Sequence, residues 1–250
     1  MPGVEAFQTL RPEPVPSGMS TVGAPQMLLR PGHGLVGSGK APALLDALRP
    51  GLKRGFDILG ALALLTVLLP LFALIALFVK ADGGPAFYAH ERVGRGGQRF
   101  GCLKFRSMVV DADRRLAALL EIDPAARAEW EACRKLKRDP RVTWIGRFLR
   151  ASSLDELPQL LNVLRGEMSL VGPRPVQAAE LALHYGAAAE HYLSVRPGIT
   201  GLWQVSGRSD TSYATRVALD VQYATNPSLL TDLMILLRTP AAVLLRRGAY

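Results

Sequence analysis

Ile58-Leu-Gly-Ala-Leu-Ala-Leu-Leu-Thr-Val-Leu-Leu-Pro70-Leu-Phe-Ala-Leu-Ile-Ala-Leu-Phe-Val79 is an uncharged, mostly apolar run of 22 residues. As a helix it extends roughly 33 Å at about 1.5 Å per residue, enough to span a hydrocarbon core. That length without a charge favours a bilayer over the interior of a water-soluble protein. Basic residues flank both ends, Lys53 and Arg54 before it and Lys80, Arg92 and Arg95 after it. The positive-inside rule therefore assigns both ends to the cytoplasm. Pro70 falls near the middle, where it removes one backbone bond and bends a helix. A helix that enters, breaks at Pro70 and returns to the same face satisfies both observations. The carbonyl of Thr66, which Pro70 cannot serve, then needs another partner.

Outward from this run, residues 1–49 read as a tail. The first 50 residues hold 15 Gly plus Pro, one aromatic and no sustained period, the composition of a disordered segment. Gly34 to Lys40 imitates a phosphate-binding P-loop. It lacks the following Ser or Thr, since Ala41 stands there, and Pro42 falls where the helix should begin. The formal charge of +9 suits anionic partners such as phosphorylated substrates or an anionic leaflet. Nucleic acid is disfavoured, because the basic residues are interspersed with acids and no recognition motif occurs. Cys102 and Cys133 offer neither a disulfide framework nor a zinc pair. No secretory leader follows Met1.

Beyond Lys80 the chain reads as a polar head. Ala86–Val93 and Phe100–Phe105, linked through Gly94-Arg-Gly-Gly97, predict a β-hairpin. Residues 111–137 predict amphipathic helices broken at Pro124, and helical patterns recur over 155–165, 176–194 and 211–225. Leu229–Leu245 carries Asp232, Arg238 and Pro240 and is expected along the membrane interface. The fold class is α+β and mostly helical: tail 1–49, re-entrant membrane helix 50–82, and a small cytoplasmic catalytic domain 83–250 with a hairpin and interfacial helices.

The densest cluster of reactive side chains runs from Asp139 to Pro175. Ser153-Leu-Asp-Glu156 fits a helix capping box, and on shape alone that bland reading leads. Pro158 weakens it, because a helix starting at Asp155 puts the proline at a position that needs no N–H. Asp155 at such an N-terminus would stay ionised, as a nucleophile or metal ligand must. Lys104, Arg106, Arg150 and Arg174 together supply the charge a diphosphate requires, although each alone is as readily an exposed basic residue. Gly198–Gly207 fits a binding loop or a tight turn. His33, His90, His184 and His191 lack metal spacing and read as surface or packing residues.

Read together, Lys53-Arg-Gly-Phe-Asp57, the Pro-broken helix, Lys104-Phe-Arg-Ser-Met108, Asp139-Pro-Arg-Val142, Ser153–Gln159, Gly166–Pro175, Arg196–Gly207 and Arg247-Gly-Ala-Tyr250 resemble one family over about residues 50–250. It is the bacterial sugar transferases, the monotopic polyprenyl-phosphate phosphoglycosyl transferases, and within it the exopolysaccharide-initiating galactosyl-phosphate transferases. The resemblance implies transfer of a sugar-1-phosphate, galactose or glucose, from a UDP-sugar to undecaprenyl phosphate, with release of UMP. It implies Asp155 as nucleophile forming an aspartyl phosphosugar, Glu156 as its partner, and Mg²⁺ near Asp155. Lys104, Arg150 and Arg174 match basic positions of such sites. The implied location is the bacterial inner membrane, with the catalytic domain facing the cytoplasm; a homodimer is left open. Leu69 departs from the Ser that commonly precedes the breaking proline, and the Thr66 hydroxyl is expected to compensate. The competing reading is a membrane-anchored scaffold for glycan assembly, with no phosphosugar adduct.

Overall fold

A continuous helix, α1, runs from Ala43 to Lys80 in the computed structural model, with Pro50 and Pro70 inside it. Residues 43–133, 136–207 and 211–244 are described. The P-loop-like stretch, His33 and the terminal Arg247–Tyr250 motif lie outside them. Helix α1 already includes residues 43–49, which composition assigned to the tail.

One face of α1 is turned inward from Asp57 to Val79. Asp57, Ala61, Ile75 and Val79 are buried, with half-buried Leu65, Leu68 and Phe72 between them. Steps of three and four residues keep these side chains on a single stripe. The other face exposes apolar groups, among them Leu59, Val67 (75% exposed) and Leu77 (68% exposed). Gly60 lets the helix approach Leu170, whose Cδ1 would lie 2.6 Å from an added Cβ. The Thr66 hydroxyl donates to the Leu62 carbonyl at 2.9 Å. It thus serves the carbonyl one turn earlier, not the one opened by Pro70, and such back-bonding favours a bend.

The two cations before the apolar run hold the helix to the head. Lys53 Nζ lies 3.0 Å from Asp57 Oδ1 and 2.9 Å from Asp232 Oδ2. Arg54 donates to the carbonyls of Val163 and Leu164 at 2.6 and 3.0 Å, closing the end of a helix described below. Asp57 accepts from Ser169 Oγ and Leu170 N. Lys53 and Arg54, which the positive-inside rule counts as topology signals, are occupied by buried carboxylates and by backbone carbonyls.

The expected hairpin forms from β1 (Phe87–Val93) and β2 (Arg99–Phe105), antiparallel, with Tyr88 opposite Lys104 and His90 opposite Cys102. Helices α2 (Ala112–Ile122) and α3 (Pro124–Cys133) separate at Asp123 and Pro124, where the predicted break lies. Helix α4 (Trp144–Ser152) is capped by Thr143, whose side chain accepts from Gly146 N. Gly146 sits on the Ser107 carbonyl so closely that no Cβ fits. Next come α5 (Gln159–Arg165), β3 (Ser169–Val171), α6 (Ala178–His184), α7 (Ala189–Ser194), β4 (Gly198–Thr200), α8 (Leu202–Val205), α9 (Tyr213–Thr225) and α10 (Leu229–Leu244). Strands β3 and β4 pair in parallel, Ser169 with Gly198 and Val171 with Thr200. This second small sheet was not expected. Gly172, Gly198 and Gly201 allow its two backbones to meet.

One buried cluster joins Ala61 of α1 to Phe100, Cys102, Val163, Met168 and Leu170. A second joins Ile75 and Val79 to Phe105, Ile145 and Leu149. Both halves of α1 therefore pack on the same head.

Candidate active site

Residues opposite one another in an antiparallel pair share a face. Tyr88, His90, Arg92, Cys102 and Lys104 accordingly line one side of the hairpin. Asn162 of α5 occupies the outer edge of β2, where a third strand would lie. Its Oδ1 accepts from Leu103 N at 2.9 Å, and its Nδ2 donates to Gly101 O at 2.8 Å. The same Nδ2 donates to Glu167. This clasp sets α5, and the turn leading into it, against Lys104.

That turn is a single 3₁₀ turn, Leu154–Glu156. Ser153 ends α4 in the left-handed region, φ 58°, and makes no side-chain cap. Helix α5 begins only at Gln159, after Pro158. Neither the capping box nor a helix starting at Asp155 forms. The three-residue bonds Glu156 N to Ser153 O and Leu157 N to Leu154 O close the turn instead. Pro158 then stands just before α5, where its missing N–H is not needed.

The turn brings two adjacent carboxylates to one ammonium. Lys104 Nζ is 2.7 Å from Glu156 Oε1 and 3.4 Å from Asp155 Oδ2. Asp155 is buried, 8% exposed. Burial raises its pKa above the ordinary carboxylate value, against the Lys104 charge, and Glu156 raises it further. A helix terminus was expected to hold this group ionised; a short turn stands there instead, desolvation works against the charged form, and Lys104 is the nearby counter-charge that favours it. Burial pulls the Lys104 ammonium down, but the Glu156 and Asp155 carboxylates outweigh it and leave the group raised.

Arg150 lies on the same rim: its Nε donates to Ser107 Oγ at 2.9 Å, and its charge favours the Asp155 carboxylate. The turn Gly172–Pro175 puts the Arg174 guanidinium 5.8 Å from the Trp203 ring centre. The Arg174 charge reaches both Arg92 and Cys102. Arg106 is placed elsewhere. It donates to Asp82, to the carbonyls of Pro85 and Met108, and to Val79 O at 2.8 Å, so it clasps the end of α1. Asp139 and Arg141 form a tight pair beneath Trp130, again structural.

Two residues at the site escaped the sequence reading. Arg92 Nη2 lies 3.3 Å from His90 Nδ1 and Arg92 Nη1 3.9 Å from Glu180. His90, taken as a surface or packing residue, also meets the Gln177 amide. Burial lowers the His90 imidazole below its ordinary value, aided by the Arg92 and Lys104 charges. The signal was present in the alternation Tyr88, His90, Arg92, once the hairpin register places it beside Lys104. The Gly198–Gly207 segment is β4 plus α8, with Trp203 buried and the Arg216 guanidinium 4.2 Å from its ring centre.

Among the described residues no three His, Cys, Asp or Glu gather as a ready metal cage. Asp155 and Glu156 offer two adjacent carboxylates at the site, a donor set of the kind Mg²⁺ uses when it is shared with substrate phosphates and not one that encloses an ion.

A sequence profile described as "Bacterial sugar transferase" matches residues 48–246. The chain is 57% identical over 199 residues to a UDP-galactose-lipid carrier transferase of Erwinia amylovora, covering 80% of this chain and 42% of that one. It is 56% identical over 213 residues to the exopolysaccharide production protein ExoY of Sinorhizobium fredii, covering 84% and 94%. It is 54% identical over 199 residues to an undecaprenyl-phosphate galactose phosphotransferase of Salmonella typhimurium, covering 80% and 42%. The chain thus spans less than half the length of two of these relatives and nearly all of the third.

Proposed function

The chain belongs to the bacterial sugar transferase family, and we propose that it transfers galactose- or glucose-1-phosphate from a UDP-sugar to undecaprenyl phosphate. UMP is released, and the product begins exopolysaccharide assembly. The observation that carries this reading is the single Lys104 ammonium held between the Asp155 and Glu156 carboxylates. Relatives named for UDP-galactose, for undecaprenyl phosphate and for exopolysaccharide production support the donor, acceptor and pathway classes.

In the first step an Asp155 oxygen attacks the β-phosphorus of the UDP-sugar. The bond from that phosphorus to the bridging oxygen breaks, and UMP leaves with the electron pair. In the second step an oxygen of the lipid phosphate attacks the aspartyl phosphosugar and frees the Asp155 carboxylate. A desolvated carboxylate is the more reactive nucleophile. Lys104, with Arg150 and Arg174 at the rim, offsets the repulsion between that carboxylate and an anionic diphosphate. Glu156 holds Lys104 in place until the diphosphate arrives. Mg²⁺ held by Asp155 and Glu156 would supply further charge neutralisation on the diphosphate.

The buried stripe from Asp57 to Val79 supports the re-entrant reading of α1. Packing on one head near both ends of the helix favours a course that returns to the same membrane face over one that crosses. Both ends then face the cytoplasm, where a soluble donor and a lipid phosphate meet at Asp155. Residues 50–82 serve as the membrane element and 83–250 as the catalytic domain of an inner-membrane protein. Purified protein incubated with candidate UDP-sugars and undecaprenyl phosphate should release UMP with at least one donor. Absence of UMP from every UDP-sugar would sink the reading and favour a scaffold.

A further inference from the structure

A cavity of about 710 Å³ lies between the start of α1, the end of β3, the α7–β4 connection and the α9–α10 turn. Its size is that of a small-molecule site, and neither Lys104 nor the Asp155–Glu156 turn lines it. Lys53, Asp57 and Asp232 form part of its wall. The two acids there are satisfied: Lys53 bridges them, Asp57 also accepts from Ser169 and Leu170 N, and Tyr223 donates to Asp232 at 2.7 Å.

Arg95 and Arg196 also line the cavity. Arg196 spends its Nε on Gly166 O at 2.7 Å. Neither arginine forms an ion pair among the described residues. Burial lowers Arg196 from its ordinary value, and the Arg54 and Arg95 charges add to this, with Asp57 opposing them. The lining also includes Leu52 and Leu229, both exposed. From these turns α1 goes on to expose Leu59 and Leu62, and α10 to expose Leu230 and Leu233. A simple anion would leave the apolar wall unexplained, and an apolar ligand would leave two arginines unexplained.

We propose that this cavity binds the phosphate headgroup of an anionic membrane phospholipid, with its acyl chains along the outer faces of α1 and α10. The bound lipid is distinct from the lipid phosphate that reacts at Asp155. The inference rests on the membrane placement of α1 given above.

Native mass spectrometry of the detergent-solubilised full chain tests it, with phosphatidylglycerol, phosphatidylcholine or inorganic phosphate added. The wild type should retain one phosphatidylglycerol about tenfold better than phosphatidylcholine, and equimolar inorganic phosphate should not displace it. Arg95→Glu, at an exposed hairpin tip, should weaken retention about tenfold, and Arg95→Glu with Arg196→Gln further. UMP release in detergent should be unchanged in Arg95→Glu. Equal retention of both lipids, displacement by inorganic phosphate, or retention indifferent to Arg95→Glu overturns the proposal. Co-sedimentation of the wild type with membranes is followed in parallel. Its failure would overturn the membrane reading as well, whereas its success beside unselective retention would overturn this proposal alone.

Discussion

Lys104 and Arg106 are two residues apart in one motif, yet they do different work. A strand would keep them on one face, but β2 ends at Phe105, and Arg106 turns back onto Asp82 and the end of α1. Alternation within a motif is readable only while the strand lasts, which is why both cations looked alike in the sequence. The meeting of Lys104 with residues 51 and 52 positions away was equally unreadable from spacing. Lys104→Met should lower the rate of UMP release by about 10²–10³, the usual loss when a charge-stabilising donor is removed. An unchanged rate would separate Lys104 from the chemistry. Asp220 makes a second prediction at this scale. Burial lifts its carboxyl from 3.8 to about 7, against a hydrogen bond from Tyr185 and the Arg216 charge. Between those values the folded chain holds a proton that the unfolded chain releases, so stability falls as pH rises through that window and is level above it. Asp220→Asn keeps an acceptor for Tyr185 and should flatten this slope, raising Tm above pH 7.5 by a few degrees, ~2–4 °C per kcal/mol recovered. Parallel Tm–pH curves for the two proteins would contradict this.

Among the elements, the hairpin and the break between α2 and α3 were legible because local alternation and Pro124 decide them. The β3–β4 pair was not: its strands have three residues each, carry no usable period, and pair across the intervening α6 and α7. The start of α5 was misread because Ser153 and Asp155 both carry helix-start signals, while the αL backbone at Ser153 ends α4 and a separate 3₁₀ turn, Leu154–Glu156, precedes the helix at Gln159. Asn162 looked like an ordinary polar residue, and only the register of β2 gives it a role. Asn162→Ala leaves Leu103 N–H and Gly101 C=O without this partner, which should destabilise the chain by about 1–3 kcal/mol. Chemical denaturation would read the loss, and an unchanged midpoint would remove the clasp. Within α1, Thr66→Val deletes the bond to Leu62 ahead of Pro70. It should alter membrane topology, read by labelling of both helix flanks; unchanged labelling would remove that role.

For the whole molecule, a bilayer segment was legible from 22 uncharged residues, and the family from the order of several weak motifs. What the sequence concealed is how α1 is held. Its polar start, Lys53-Arg54 with Asp57, binds inward, and the buried stripe continues past Pro70 to Val79, so the membrane element and the head share their cores. That union packs Leu154 and Leu157, on either side of the Asp155–Glu156 pair, against the cluster that holds Ile75 and Val79 of α1. In the proposed reaction Asp155 carries the sugar phosphate covalently. Intact mass of the protein after incubation with its UDP-sugar, without lipid acceptor, tests it directly. A single phosphosugar adduct on Asp155 with one equivalent of UMP, lost in Asp155→Asn, is the predicted result. UMP release undiminished in Asp155→Asn, or turnover with no adduct at any time, would contradict it.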